Sequence, residues 1–167
     1  LDVSIARNLK KIQADNNMAM LIENEGRDFY LIPRMEAEKK YNQEEILQFK
    51  DDDRFDEAFC FSEASPDVLA VAAIIDNEIV GMTGASADSP SFWQIGINVN
   101  KNFEGRHIAS GLVSILKSDI LKKGIVPYYG TSFSNLASQH VAARAGFKVA
   151  WVELITEKNT ADDVYTG

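Results

Sequence analysis

The chain has one cysteine and two histidines among its 167 residues, and this scarcity excludes several kinds of site. Cys60 cannot form a disulfide within the chain. One thiol with two distant histidines also supplies too few ligands for a cysteine-based zinc site, so we expect no metal. A chain without internal disulfides is typical of the cytoplasm, which we predict as the compartment.

Long apolar runs are also missing. The longest, residues 68–75, falls far short of the roughly 20 residues that cross a bilayer. No basic-then-apolar signal segment opens the chain, so we expect a soluble protein with no membrane partner. The first residue is Leu1 rather than Met, which is compatible with a piece of a longer protein.

Positive charge is scarce, because 17 Lys and Arg stand against 25 Asp and Glu, for a net charge of −8. Nucleic-acid binding depends on neutralising phosphates, so we expect no nucleic-acid partner. The balance favours a cationic or neutral substrate. The sequence also lacks the P-loop, the dinucleotide-binding glycine pattern, the G-x-S-x-G elbow and the H-E-x-x-H pair, which disfavours those chemistries, dehydrogenases included.

What is present is the composition of one globular domain, with 46% hydrophobic and 25% charged residues. We predict an N-terminal extension over residues 1–62 and a core over residues 63–167. The extension would hold a helix over about the first 14 residues and a hairpin of residues 18–22 and 29–32. A polar, acidic stretch follows, in which residues 51–53 form a helix start or a solvated loop.

The core alternates strands and helices. The apolar patterns and turn residues predict strands at 68–75, 79–87, 92–99, 125–133 and 147–155. Helical periodicity predicts helices over about 108–122 and 135–145, with Ser134 as the N-cap of the second. Gly96, inside the third strand, indicates a bulge or a close backbone approach.

The turn before the first core helix carries the clearest chemical signal. A helix N-terminus offers unpaired amides and the positive end of the helix dipole, and a glycine just ahead lets a phosphate approach the backbone. Gly105 has that position, and Lys101 and Arg106 add positive charge. The pattern predicts an anion-binding turn, and the alternative is a glycine required only by the backbone.

Two segments resemble a known family. Residues 97–113 resemble motif A of the GNAT superfamily of acetyl-CoA-dependent N-acyltransferases. Asn135 to Ser138, followed by Ala142 and the pair Gly146-Phe147, is similar to that superfamily's second, asparagine-centred helix. The resemblance covers about residues 68–155, and the order of strands and helices agrees with it.

The resemblance implies an α/β (mixed α+β) fold with three αβα layers. Its central, mostly antiparallel sheet would splay between the fourth and fifth strands, here the strand ending at Val99 and the strand over residues 126–131. The pantetheine arm of acetyl-CoA would lie in the splay, and the pyrophosphate would sit on the amides of the glycine turn. The implied cofactor-binding residues are Ile97, Asn98, Val99, Glu104, Gly105, Arg106, His107, Ile108, Ala109, Ser110, Asn135 and Ser138.

The implied activity is acetyl transfer to a primary amine of a small molecule or peptide, by direct attack on the thioester in a ternary complex. The alternative is a CoA-binding or small-molecule-sensing module that has lost catalysis. The sequence is compatible with a homodimer. The acceptor cannot be identified from the sequence.

The sequence departs from the family pattern at Lys101, Glu104, His107 and Ala142. Ala142 matters most, because the family commonly has there the tyrosine that protonates the departing thiolate. The candidates to replace it are Tyr128, Tyr129 and Ser138, with an ordered water as a further alternative. Alternation along a strand sends the two tyrosines to opposite faces, so at most one of them faces the cleft. No general base stands out, because residues 92–99 contain no carboxylate.

Overall fold

The computed structural model describes residues 20–24, 28–32 and 37–154. The helix predicted over about the first 14 residues and the end of the last predicted strand lie outside these residues. Strands β1 (Met20–Asn24) and β2 (Asp28–Ile32) pair antiparallel, with Met20 opposite Ile32. The predicted N-terminal hairpin is therefore confirmed.

A five-stranded sheet forms the centre of the fold. Its order in space follows the chain, and every junction is antiparallel except the parallel β6–β7 pair. The strands are β3 (Ala37–Asn42), β4 (Asp67–Ile75), β5 (Glu78–Ser86), β6 (Phe92–Val99) and β7 (Val126–Tyr128). This sheet confirms the predicted fold class.

Helices cover both faces of the sheet, because alternate residues of β4 and β5 are apolar on each side. Helix α2 (Ile108–Lys122) packs on one face through a stripe of four residues that are at most 1% exposed. The stripe repeats every fourth residue and consists of Ile108, Leu112, Leu116 and Ile120. Helix α3 (Leu136–Arg144) ends on the same face, where Ala145 is buried.

The opposite face carries helix α1 (Gln43–Ile46) and two 3₁₀ turns, Leu47–Phe49 and Asp53–Phe55. Their aromatic rings pack on Met82 of β5. Asp52 caps the second turn by accepting from the amide of Arg54 at 3.2 Å, so the acidic run at 51–53 includes a helix start. Strand β3 belongs to the predicted N-terminal extension yet pairs with β4, while the boundary at residue 62 stays a prediction.

Three local predictions are wrong. The strand predicted over 125–133 ends at Tyr128, where Pro127 removes an amide donor from an already short ladder. The N-cap of α3 is Asn135 rather than Ser134, because the Asn135 Oδ1 accepts from the amide of Ser138 at 3.0 Å. Residues 147–154 form no strand, because the three-residue β7 at the sheet edge offers too short a partner. Among the described helices, none has the length and apolarity needed to cross a membrane.

Candidate functional site

A gap opens between β6 and β7. Their parallel ladder runs from Phe92 opposite Val126 to Gln94 opposite Tyr128 and ends there. Strand β6 continues to Val99, whereas β7 stops, so β7 leaves the backbone of residues 95–99 unpaired on that side. The gap therefore lies between the fourth and fifth strands of the sheet, and it exposes an edge of β6 to which an extended ligand can bond.

The chain leaves β6 through a tight turn. The Asn100 amide donates to the carbonyl of Val80 at 2.8 Å, and its Oδ1 accepts from the amide of Asn102 at 3.0 Å. A 3₁₀ turn, Lys101–Phe103, follows. Gly105 then takes the left-handed conformation, with φ +72°, and a Cβ placed on it would meet no atom within 4 Å. The backbone at Gly105 is therefore open to a ligand, and the conformation favours glycine.

Helix α2 begins directly after this turn. Its first intrahelical hydrogen bond joins the amide of Gly111 to the carbonyl of His107 at 3.0 Å. The amides of Ile108, Ala109 and Ser110 precede that bond, and within residues 37–154 no side chain caps this N-terminus. Arg106 stacks over the Phe103 ring at 5.0 Å. The structure thus brings the six residues predicted around the pyrophosphate, Gly105 to Ser110, into one turn.

His107 links this turn to α3. It also adopts the left-handed region, with φ +62°, and its Nδ1 lies 2.9 Å from a guanidinium nitrogen of Arg144. Since a guanidinium only donates, Nδ1 accepts and the proton of the neutral ring is on Nε2. Burial lowers the pKa of His107, and the Arg144 charge lowers it further.

Arg144 was not predicted for the site. Its partner lies 37 residues away in sequence, and its only local signal is a basic residue in the last turn of a helix, which is common. Glu104, by contrast, was predicted at the cofactor, and the structure leaves it exposed at the C-cap of the 3₁₀ turn.

Tyr128 lies at the edge of the gap, where its hydroxyl is hydrogen-bonded. Its hydroxyl donates to the carboxylate of Asp88 and lies 3.2 Å from the Oε1 of Gln94. Burial, the hydrogen bond to Asp88 and the charge of that carboxylate raise the pKa of Tyr128 to about 12. The proton of this phenol is therefore held by Asp88 on the side of the sheet that carries Gln94.

Tyr129 faces the other side, as alternation predicts. Its ring lies 6.1 Å from that of Phe147 and packs against the core under α2. Burial raises the pKa of Tyr129, the hydroxyl of the half-buried Ser138 lowers it, and the charge of Glu57 raises it again. The structure therefore brings Tyr129 and Ser138 together near the gap. Ala142 has no side-chain group that could donate a proton, and its carbonyl accepts from the amide of Phe147 at 2.9 Å.

Residues 56–58 cross the sheet on the face opposite α2, over two facing glycines. A Cβ on Gly96 would lie 2.1 Å from the carbonyl oxygen of Glu57, and one on Gly84 would lie 2.2 Å from that of Ala58. Gly84 and Gly96 are paired in the β5–β6 ladder, whose register has no shift. Of the two roles predicted for Gly96, the close backbone approach is the one observed.

Asn98 fixes that crossing. Its Oδ1 accepts from the amides of Glu57 at 3.0 Å and Ala58 at 2.6 Å, and its Nδ2 donates to Asp56 at 2.9 Å. The side chain of this predicted cofactor residue is thus engaged on the other face. Likewise the Oδ1 of Asn135 is used to cap α3, which leaves its Nδ2 as the side-chain donor for a ligand.

Comparison with known proteins agrees with this geometry. The sequence model of the "Acetyltransferase (GNAT) family" matches residues 27–147. No curated protein sequence matches significantly.

Solved structures with a similar fold include aminoglycoside N-acetyltransferase AAC(6')-Iy in complex with CoA. That protein is 21% identical, with a TM-score of 0.54 over 73% of this chain and 98% of the other. An aminoglycoside acetyltransferase from an uncultured soil metagenomic sample, in complex with sisomicin, is 14% identical, with a TM-score of 0.54 over 73% and 95%. Ribosomal-protein-alanine N-acetyltransferase from Brucella melitensis biovar Abortus 2308 is 15% identical, with a TM-score of 0.53 over 73% and 98%.

Proposed function

The chain belongs to the acetyltransferase (GNAT) family, and from this premise we propose that it transfers an acetyl group from acetyl-CoA to a primary amine. The acceptor is a small molecule or a peptide, and the amine attacks directly in a ternary complex. One observation carries the proposal: the strand with the free edge, β6, is followed along the chain by the open turn at Gly105 and the uncapped start of α2.

The residues present fit acetyl-CoA, the cofactor of this family. The amides of Ile108, Ala109 and Ser110 suit the pyrophosphate, since a helix N-terminus with free amides binds anions. Arg106 and Arg144 add positive charge at the two sides of the turn. The free edge of β6 suits the amide groups of the pantetheine arm. Glu104 is exposed, so its carboxylate can turn away from the phosphates.

The chemistry requires a neutral amine, a polarised thioester and a proton for the sulfur. Bound acetyl-CoA supplies the thioester. The unpaired β6 edge orients it and offers backbone N–H donors to its carbonyl, which stabilises charge at little reorganisation cost. The amine, with an ordinary pKa of about 10.4, loses its proton to water before it attacks.

Tyr129 is the proposed proton donor to the departing thiolate. Its raised pKa keeps the phenol protonated at neutral pH, and it lies on the α2 side with Ser138. Tyr128 is the weaker candidate, because its proton is held by Asp88. In this proposal the hydroxyl of Ser138, which lowers the pKa of Tyr129, assists the proton transfer that Ala142 cannot perform.

Ala142 also supports a second candidate, a module that binds CoA without transferring acetyl groups. Calorimetry with acetyl-CoA, followed by thiol release over a panel of aminoglycosides, polyamines and peptides, separates the two. Binding with thiol release supports the enzyme. Binding with no release from any amine supports the module, and absence of binding contradicts both.

A further inference from the structure

The two faces of the gap differ in chemistry. On the α2 face, Tyr129 and Ser138 lie beside an apolar core. On the opposite face, the segment 56–58 presents two exposed side chains, Asp56 and Glu57, both acidic. The donor of the acetyl group and the acceptor amine can therefore reach the gap from opposite sides and meet at the free edge of β6.

The backbone of Glu57 is held from three directions. Its amide donates to the Oδ1 of Asn98, and its carbonyl rests where Gly96 lacks a side chain. Ala58, the next residue, and Phe55, two residues earlier, are only 4% and 3% exposed. The side chain of Glu57 therefore leaves the backbone from a fixed point beside β6, and a binding residue needs such a fixed starting point.

The carboxylate of Glu57 is the one that remains available. Asp56 already accepts from the Nδ2 of Asn98. In the part of the chain that the structure covers, the Glu57 carboxylate has no hydrogen bond or ion pair, and its negative charge helps to raise the pKa of Tyr129. The backbone of Glu57 lies against Gly96 and Asn98, in the stretch of β6 that β7 leaves unpaired, so its side chain starts beside the free edge of β6.

We propose that Glu57 is a specificity-determining residue, whose carboxylate binds an ammonium group of a cationic amine acceptor on the face of the sheet opposite α2. This rests on the proposed function and names its substrate class. A polyamine or aminoglycoside keeps other amino groups protonated while one attacks, and a carboxylate binds these more strongly than it binds a neutral acceptor. The net charge of −8 acts in the same direction at long range.

The test compares wild type with Glu57→Gln, which keeps the shape and removes the charge. Spermidine is the cationic probe, and thiol release is the assay. We expect KM to rise roughly ten-fold with kcat nearly unchanged, because a charge-assisted contact is lost from the bound acceptor. Glu57→Asp should recover part of the loss. Glu63→Gln, an exposed acid in the following loop, is the matched control and should behave as wild type.

Salt supplies an independent readout that a merely structural role would not move. Raising NaCl from about 50 to 500 mM should increase the wild-type KM towards that of Glu57→Gln and affect the variant much less. If acetyl-CoA binds but thiol release is too slow to measure, the calorimetric Kd of spermidine for the CoA complex replaces KM.

Three results overturn the assignment: Glu57→Gln with wild-type KM and salt dependence, an equal effect of Glu63→Gln, or no binding of spermidine by the wild-type CoA complex. The Kd of acetyl-CoA should be the same in wild type and Glu57→Gln. Failure of wild type to bind acetyl-CoA would instead contradict the proposed function itself, so the two failures are distinguishable.

Discussion

Replacing Gly96 with alanine tests how residues 56–58 are held against the sheet. The new Cβ would lie 2.1 Å from the Glu57 carbonyl oxygen and 3.1 Å from the Ala58 Cα. Both are backbone atoms, so the segment must move by roughly 1 Å to restore ordinary contacts. That movement stretches the two hydrogen bonds to Asn98, at 3.0 and 2.6 Å.

The expected loss of stability follows from these contacts. Overpacking costs about 1–3 kcal/mol, and two weakened hydrogen bonds cost about 1 kcal/mol each. Alanine offsets about 0.4–1 kcal/mol of this loss, because it lowers the conformational entropy of the unfolded chain. We therefore expect Gly96→Ala to lower the free energy of unfolding by about 3 kcal/mol, measured by urea denaturation followed by circular dichroism.

Gly130→Ala is the matched control. Its Cβ would meet only the Nε2 of Gln94, at 3.3 Å, and this is the end of a flexible side chain. We expect a change within about 0.5 kcal/mol. A Gly96→Ala protein within about 1 kcal/mol of wild type, or two variants that are equally destabilised, would refute the reasoning.

Three further predictions concern the cofactor and the proton donor. Gly105→Val should raise the Kd of acetyl-CoA at least about ten-fold, because valine strains this left-handed turn. The turn faces open space, so the far-UV circular dichroism should stay that of wild type. An unchanged affinity would contradict the anion-binding turn. Tyr129→Phe should lower kcat by about 10²-fold and Tyr128→Phe should change it little; equal effects in steady-state kinetics would remove Tyr129 from its role. Arg144→Gln should weaken acetyl-CoA binding several-fold, with a reduced salt dependence, because positive charge beside His107 is lost; calorimetry at two ionic strengths checks this.

Most of the fold could be predicted from local sequence patterns. The bounds of β6 and α2 could be read from alternation and from the four-residue spacing of Ile108 to Ile120, because each element buries one face. Strand β3 could not, because its sequence AEKKYN is mostly polar and, of residues 38–42, only Tyr41 is buried. It becomes a strand because it pairs with β4. The two strands are far apart in the sequence, and the pattern of a short polar segment does not indicate such a pairing.

The candidate site likewise has a part that local sequence predicts and a part that depends on long-range contacts. The open turn at Gly105 follows from a strand, a glycine and a helix in sequence, so it could be predicted from neighbours alone. The contacts of Asn98 with Glu57 and of His107 with Arg144 join residues 41 and 37 positions apart. A single sequence does not indicate such contacts, and so the proposed acceptor side of the gap and the proposed contribution of Arg144 rest on the fold.

The central claim is that the gap beside β6 holds acetyl-CoA for transfer to an amine. Calorimetry of the wild-type protein with acetyl-CoA, followed in the same sample by thiol release on addition of spermidine, tests it most directly. The account predicts saturable binding with one site per chain and thiol release that depends on the amine. No heat of binding, with no thiol release at any amine concentration, would contradict it.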